Sequence, residues 1–316
     1  MIQPDFTVAA SPMQVLAEDL WFPEGPVWMP DGSIVLVEIR RGTLTRVTPD
    51  GRKHIIARLG GGPNGAARGP DGHIYVCNNG GFAWGDRRGS LAPVGTPADY
   101  RGGRIERVDP ETGRFEVLYE QADGRRLNGP NDLVFDGHGG FWFTDLGKTR
   151  ARDTDIGRVC YAKTDGSLIR EVIFPISRPN GIGLSPDGRT LYVAETETAR
   201  LWAWDIAAPG QLAPSRETLT APHGGRLIYT PARFARLDSL AVEANGFVCV
   251  ATLELGGISV CAPDGSGAEF IATGDHYTTN ICFGGADMKQ AWLTLSGKGQ
   301  LVRMDWPRPG LKLAHY

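Results

Sequence analysis

Glu24, Asn64, Asn131, Asn180, Asp238 and Asn280 each stand seven positions upstream of a turn residue: Asp31, Asp71, His138, Asp187, Asn245 and Asp287 respectively. All six carry a side-chain oxygen, and each precedes a stretch that otherwise reads as a buried strand. Two of them are carboxylates, which are costly to bury without a cation. If the fold gathers them at one point, a set of oxygen donors without His or Cys suits a hard divalent ion. Ca²⁺ fits best, with Mg²⁺ and Mn²⁺ as lesser options. Such an ion polarises an ester carbonyl or a phosphoryl oxygen toward attack by water.

The elements around these residues repeat with them. The first unit runs from Glu24-Gly25-Pro26-Val27-Trp28 through the turn Pro30-Asp31-Gly32 to strands at 34–38, 43–47 and 53–57. Five further units follow the same order, beginning at Asn64, Asn131, Asn180, Asp238 and Asn280, with a poorly marked last strand in the fourth and none in the sixth. Six units of four short strands at a spacing of about 51 residues predict an all-β fold, a six-bladed β-propeller of antiparallel blades. The orphan segments 6–10 and 14–16 supply the strand that the sixth unit lacks, closing the ring and removing an exposed edge. No linker divides the chain, so residues 1–316 read as one propeller domain.

Equivalent positions in a radial repeat converge on its axis, which is where the six oxygens are expected. The Asp-Gly turns are read as structural, since tight turns need positive φ and a local side-chain acceptor. Two departures from the repeat matter for the site. The loop between the second and third strands of the second unit, Gly80 to Gly103, lies on the face where the six residues begin their strands, and its length marks it as a lid. Its aromatic residues Phe82, Trp84 and Tyr100 are candidates to close over a substrate ring, or to anchor the loop. Residues 207–237 form the second departure and lead into Asp238 on the same face.

Composition excludes other classes. A net charge of -3 with no basic stretch interleaved with aromatics argues against nucleic-acid binding. No apolar run approaches the ~20 residues of a membrane span, and the N-terminus lacks the pattern of a signal peptide, so a soluble cytoplasmic protein is expected. Cys77, Cys160, Cys249, Cys261 and Cys282 form an odd set without CxxC spacing and read as small core residues. Six histidines show no HExxH pair; His276, shortly before Asn280, is retained as a candidate pocket residue. Gly60, Gly62 and Gly65 match GxGxxG, yet Gly69-Pro70 leaves no room for the helix a dinucleotide site needs. The absence of GxSxG argues against a serine hydrolase of the α/β type.

Phe22-Pro23-Glu24-Gly25-Pro26, Asn131-Asp132-Leu133, Arg178-Pro179-Asn180-Gly181-Ile182, Leu237-Asp238-Ser239-Leu240-Ala241-Val242 and Thr279-Asn280-Ile281-Cys282-Phe283-Gly284-Gly285 together resemble the family of gluconolactonase, senescence marker protein (regucalcin) and LRE-like propeller lactonases. That family is similar in fold to diisopropyl fluorophosphatase. The resemblance spans nearly the whole chain and implies one divalent cation on the axis, with Glu24, Asn131, Asn180 and Asp238 as ligands. Ca²⁺ is favoured, and Mn²⁺, Mg²⁺, Zn²⁺ and Fe²⁺ stay open. Asn64 and Asn280 would be substrate or outer contacts. The chain departs from the family where Ser239 replaces a common Gly, and where Gly129-Pro130 replaces an Arg-containing substrate motif, so a sugar preference does not transfer.

The implied activity is metal-dependent hydrolysis of a lactone, of the aldono-1,4- or 1,5-lactone type, with Asp238 or hydroxide on the ion as base. Alternatives are a phosphotriesterase resembling diisopropyl fluorophosphatase, and a binding module whose metal is only structural. The oligomeric state stays open.

Overall fold

The computed structural model describes residues 6–8, 11–219 and 221–316. Six antiparallel sheets follow in chain order. The first blade comprises Pro23–Trp28, Ile34–Glu38, Thr43–Val47 and Lys53–Arg58. The inner strands of the others are Pro63–Arg68, Pro130–Phe135, Pro179–Leu184, Arg236–Val242 and Thr278–Gly284. Gln14–Ala17 pairs antiparallel with Gln300–Asp305 as the outer strand of the sixth blade, so the expected closure is present. Phe6–Val8 instead joins the fifth blade, pairing in parallel with Ala268–Ala272. The N-terminal segment therefore spans two neighbouring blades.

Burial explains the pattern of each blade. The inner and second strands are covered on both faces by adjacent blades, so their sequences run apolar without alternation, as in Ile34-Val35-Leu36-Val37 and Phe141-Trp142-Phe143. The outer strand is half exposed, and Lys53–Arg58 is polar accordingly. Full burial of each large apolar side chain contributes about 1.5–3 kcal/mol. The five cysteines are all buried. The outer strand of the fourth blade is Arg226–Tyr229, reached only after the chain makes a small hairpin extension at Gln211–Leu212. Distance in sequence from its partner, Arg200–Ala208, hides it from periodicity. No helix among the described residues is long and apolar enough to cross a membrane.

Candidate metal centre

All six inner strands break register at the same place. The ladder shifts between Glu24 and Val27, Pro63 and Ala66, Pro130 and Leu133, Pro179 and Ile182, Leu237 and Leu240, and Thr278 and Asn280. A β-bulge re-aims a side chain, and each of these bulges contains or begins at one of the six oxygen-bearing residues. The Gly after several of them has a packing cause. A Cβ on Gly65 would meet Asn131 O at 2.4 Å, and one on Gly181 would meet Asp238 O and Leu240 N at 2.7 Å. Neighbouring inner strands thus approach at the axis too closely for any side chain on these two strand residues.

Buried residues on the second strands fix the loops that lead into these bulges. Glu38 Oε2 accepts from Trp21 N at 2.8 Å, Asn78 Oδ1 from Gly62 N at 2.9 Å, Asp145 Oδ2 from Asn128 N at 3.0 Å and Glu195 Oε1 from Ser177 N at 2.8 Å. The sequence reading missed this polar set. Its signal is legible in retrospect, because Ile34–Glu38, Ile74–Asn78, Gly140–Asp145 and Thr190–Glu195 are buried strands that all end on an acid or amide.

The bulges open into a cavity of about 200 Å³ whose wall includes Glu24, Asn64, Asn131, Asn180 and Asp238, with Phe22, Phe82, Lys148, Arg178, Arg236, Tyr277 and Thr279. Two buried oxygens there have no hydrogen-bond partner: Glu24 Oε1 and Asn131 Oδ1. They are the only buried side-chain oxygens so placed among the described residues; every other unpartnered buried atom is a nitrogen. Glu24 Oε2 accepts from Asn280 Nδ2 at 2.7 Å and from Gly25 N. Asn180 donates through Nδ2 to Thr196 Oγ1 at 3.0 Å, which orients its oxygen, and Ser239 Oγ reaches that oxygen at 3.4 Å. Among the described residues no group of three or more His, Cys, Asp and Glu is placed to hold a metal, so amide carbonyls are needed to complete a shell here.

Electrostatics mark the same spot. Burial, and then the charges of Asp238 and Asp132, push the Glu24 carboxyl well above the usual carboxylate range. Burial pushes Asp238 up to about 7, against the hydrogen bond from Asn180. Asp132, which the sequence reading did not single out, is likewise pushed up to about 7 by burial, against the hydrogen bond from Leu133 N at 2.9 Å. Glu24 and Asp238 share the cavity, and the charge of Asp132 also bears on Glu24, a configuration that a divalent cation would relieve. The donors fit a hard ion: two unpaired buried oxygens, a second carboxylate and an oriented amide.

The expected lid is present and contains a hairpin, Ala83–Arg87 with Ser90–Gly95, which contributes Arg87, Pro93, Val94 and Gly95 to the cavity wall. It is tied down at both sides: Thr96 N donates to Thr149 O at 3.1 Å, and Arg88 Nη1 to Glu254 Oε2 at 2.6 Å. Phe82 and Asn64 line the cavity, whereas Trp84, Tyr100 and His276 do not. Trp84 packs edge-on against Phe22 at 5.1 Å and serves as an anchor. Tyr100 donates its hydroxyl to Asn128 O at 2.6 Å, and its ring would collide with any Cβ on Gly80. His276 is exposed and its ring nitrogen lies 2.7 Å from Glu254 O, so the cavity receives its neighbour Tyr277 instead. Asn280 donates to Glu24 Oε2 and accepts from Ile281 N at 2.7 Å, which places it as an outer contact that supports Glu24.

Comparison with known proteins agrees with this architecture. Residues 22–297 match the SMP-30/Gluconolactonase/LRE-like region. The chain is 30% identical over 320 residues to a gluconolactonase of Zymomonas mobilis, covering 93% of this chain and 81% of that one. Among solved structures, a gluconolactonase of Xanthomonas campestris superposes with a TM-score of 0.73 at 22% identity, covering 94% of this chain and 90% of that one. A calcium-binding regucalcin of Agrobacterium tumefaciens does so with 0.71 at 19%, covering 99% and 100%. The chain belongs to the SMP-30/Gluconolactonase/LRE-like family.

Proposed function

We propose that this protein is a divalent-cation-dependent hydrolase that opens a lactone ring. The observation that carries the reading is the pair of buried, unpartnered oxygens, Glu24 Oε1 and Asn131 Oδ1, in one cavity with Asn180 and Asp238. The kinship with the Zymomonas gluconolactonase supports a lactone as substrate, and the Agrobacterium regucalcin supports Ca²⁺ as the ion.

Glu24, Asn131, Asn180 and Asp238 would hold the cation. When bound, it withdraws electron density from the ester carbonyl and stabilises the oxyanion that water attack creates. The chain's own residues do the rest. Asn280 and Gly25 hold one oxygen of Glu24, leaving the other free. Thr196 fixes the rotation of the Asn180 amide. Phe22, Phe82 and Tyr277 supply apolar wall, and the tethered hairpin covers one side of the cavity. Asp238 accepts the proton of the attacking water, and a proton returns to the ring oxygen as the acyl C–O bond breaks, so that one hydroxy acid leaves.

The test is a lactone panel read by acid release, with protein stripped by chelator and then given Ca²⁺, Mn²⁺, Zn²⁺ or Fe²⁺. Turnover restored by at least one ion is expected. Turnover of no lactone with any ion, together with tight metal binding, would favour a binding module with a structural metal.

A further inference from the structure

The cavity has a cationic wall above its acidic floor. Arg178 and Arg236 stand two residues before Asn180 and Asp238 on neighbouring blades, about 7 Å of extended chain away. Both residues line the cavity, and Nε of each is buried without a hydrogen-bond partner. Their other contacts use only part of the fork. Arg178 Nη1 donates to Thr149 Oγ1 at 2.8 Å and Thr154 Oγ1 at 3.4 Å, and its nearest carboxylate, the half-exposed Glu197, is 3.7 Å from Nε. Arg236 Nη2 donates to Glu254 Oε1 at 2.8 Å, an acid already shared with Arg88 of the lid.

Lys148, buried on the same wall, donates to Gly81 O at 2.6 Å and Asn79 Oδ1 at 3.2 Å and is a third basic group there. Arg178 also has φ +47°, outside the regions a non-glycine residue prefers, and such strain is held at sites where a side chain must point in one direction. Gly129-Pro130 leaves no cation beside Asn131, so these arginines are the cations closest in sequence to the expected ligands.

We propose that Arg178 and Arg236 bind a carboxylate on the substrate, making the preferred substrate an acidic lactone that carries a second, free carboxylate several ångströms from the ester carbonyl. The inference rests on the lactonase reading and narrows its substrate class. A guanidinium fork recognises a carboxylate by charge-assisted and bidentate hydrogen bonds, and the unused Nε–H donors supply that capacity. The bound carboxylate would fix the ring with its carbonyl toward Glu24 and Asp238.

D-glucaro-1,4-lactone and D-glucono-1,4-lactone differ only in a carboxylate against a hydroxymethyl group, so the ratio of their kcat/KM values isolates the contact. The native protein is expected to prefer the acidic lactone by at least about tenfold. Arg178→Gln and Arg236→Gln should each lower that ratio by about 10- to 100-fold, mainly through KM, the scale of a lost hydrogen bond to a charged group. Arg178→Lys should recover part of it, and salt at 0.5 M should erode the preference. Equal or better use of the neutral lactone, or variants that lower both substrates alike, would overturn the acidic-substrate inference while leaving the lactonase reading intact. If neither lactone turns over, calorimetric binding of D-glucarate decides the matter: binding lost in both Gln variants upholds the arginine site, and no binding to the native protein overturns it.

Discussion

The axial channel has two ends built from the same six strands, and they differ in almost every respect. At the end where the inner strands begin, bulges turn Glu24, Asn64, Asn131, Asn180 and Asp238 into a cavity with two oxygens that find no donor. At the other end Val27, Trp28, Leu133, Phe135, Leu184 and Phe283 line a smaller cavity of about 100 Å³ that the C-terminal residues Leu311 to Tyr316 seal. There Tyr316 stacks on Trp28 at 5.8 Å and donates to Phe283 O at 3.0 Å, while His315 O accepts from Arg68 at 3.0 Å. The chain fills an axial opening with its own C-terminal residues at one end only, and the buried atoms left without partners there, Arg68 Nε and His315 Nε2, are nitrogens rather than oxygens. Unmet oxygens at the opposite end therefore mark a ligand site rather than loose packing.

Breaking the polar end should have the largest effect. Asp238→Asn keeps shape and removes both a ligand charge and the proposed base, so lactone turnover should fall by roughly 10²-fold or more even at saturating metal. Glu24→Gln removes only a ligand charge and should recover much of its rate when metal is raised, as initial rates across a metal titration will read. Equal recovery of both variants would remove Asp238 as base and leave it as a ligand.

Breaking the sealed end should affect stability instead. Tyr316→Ala loses the stack on Trp28 and the bond to Phe283, and should lower unfolding free energy by about 2–4 kcal/mol. Metal affinity and turnover should be unchanged, and a change in either would join the two ends into one functional unit. Shortening the lid hairpin Ala83–Gly95 comes next, with KM raised about fivefold to tenfold and metal binding intact.

The smallest effect is on pH dependence. Glu24, Asp132 and Asp238 have folded-state values raised above their unfolded ones. Their contribution to stability is complete at pH near 4 and is lost as pH rises through about 7, where Asp132 and Asp238 ionise. Thermal midpoints of metal-stripped protein should therefore fall by a few degrees between pH 5 and pH 7.5, and added divalent cation should flatten that slope. Lys148, pushed down to about 7 by burial, acts in the opposite sense at higher pH, which is why the window ends there.

How much of this was legible in the sequence follows from what each residue must do. The floor of the site was legible because every inner strand needs a turn after it, and that turn counts back to one oxygen-bearing residue. The ring closure was legible because the sixth unit lacks a strand and residues 14–17 have no other partner. The walls were not legible. Trp84 and Tyr100 are anchors because a loop of this length needs apolar ballast of its own, and the sequence does not say which aromatic faces inward. His276 and Tyr277 differ by one position, and a single step along a strand entry reverses the face. Asp132 was masked by its neighbour Asn131, since the bulge allows two consecutive residues to approach the axis. Only the fold places Arg178 and Arg236 together on one wall.

Calorimetric titration of chelator-stripped protein with Ca²⁺ tests the central claim most directly. One ion per chain should bind to the native protein, at least tenfold more weakly to Glu24→Gln and Asp238→Asn, and with unchanged affinity to Tyr316→Ala. The same affinity in all four proteins, or no ion bound to the native protein under conditions where it opens lactones, would contradict the assignment of Glu24, Asn131, Asn180 and Asp238 as a catalytic metal centre.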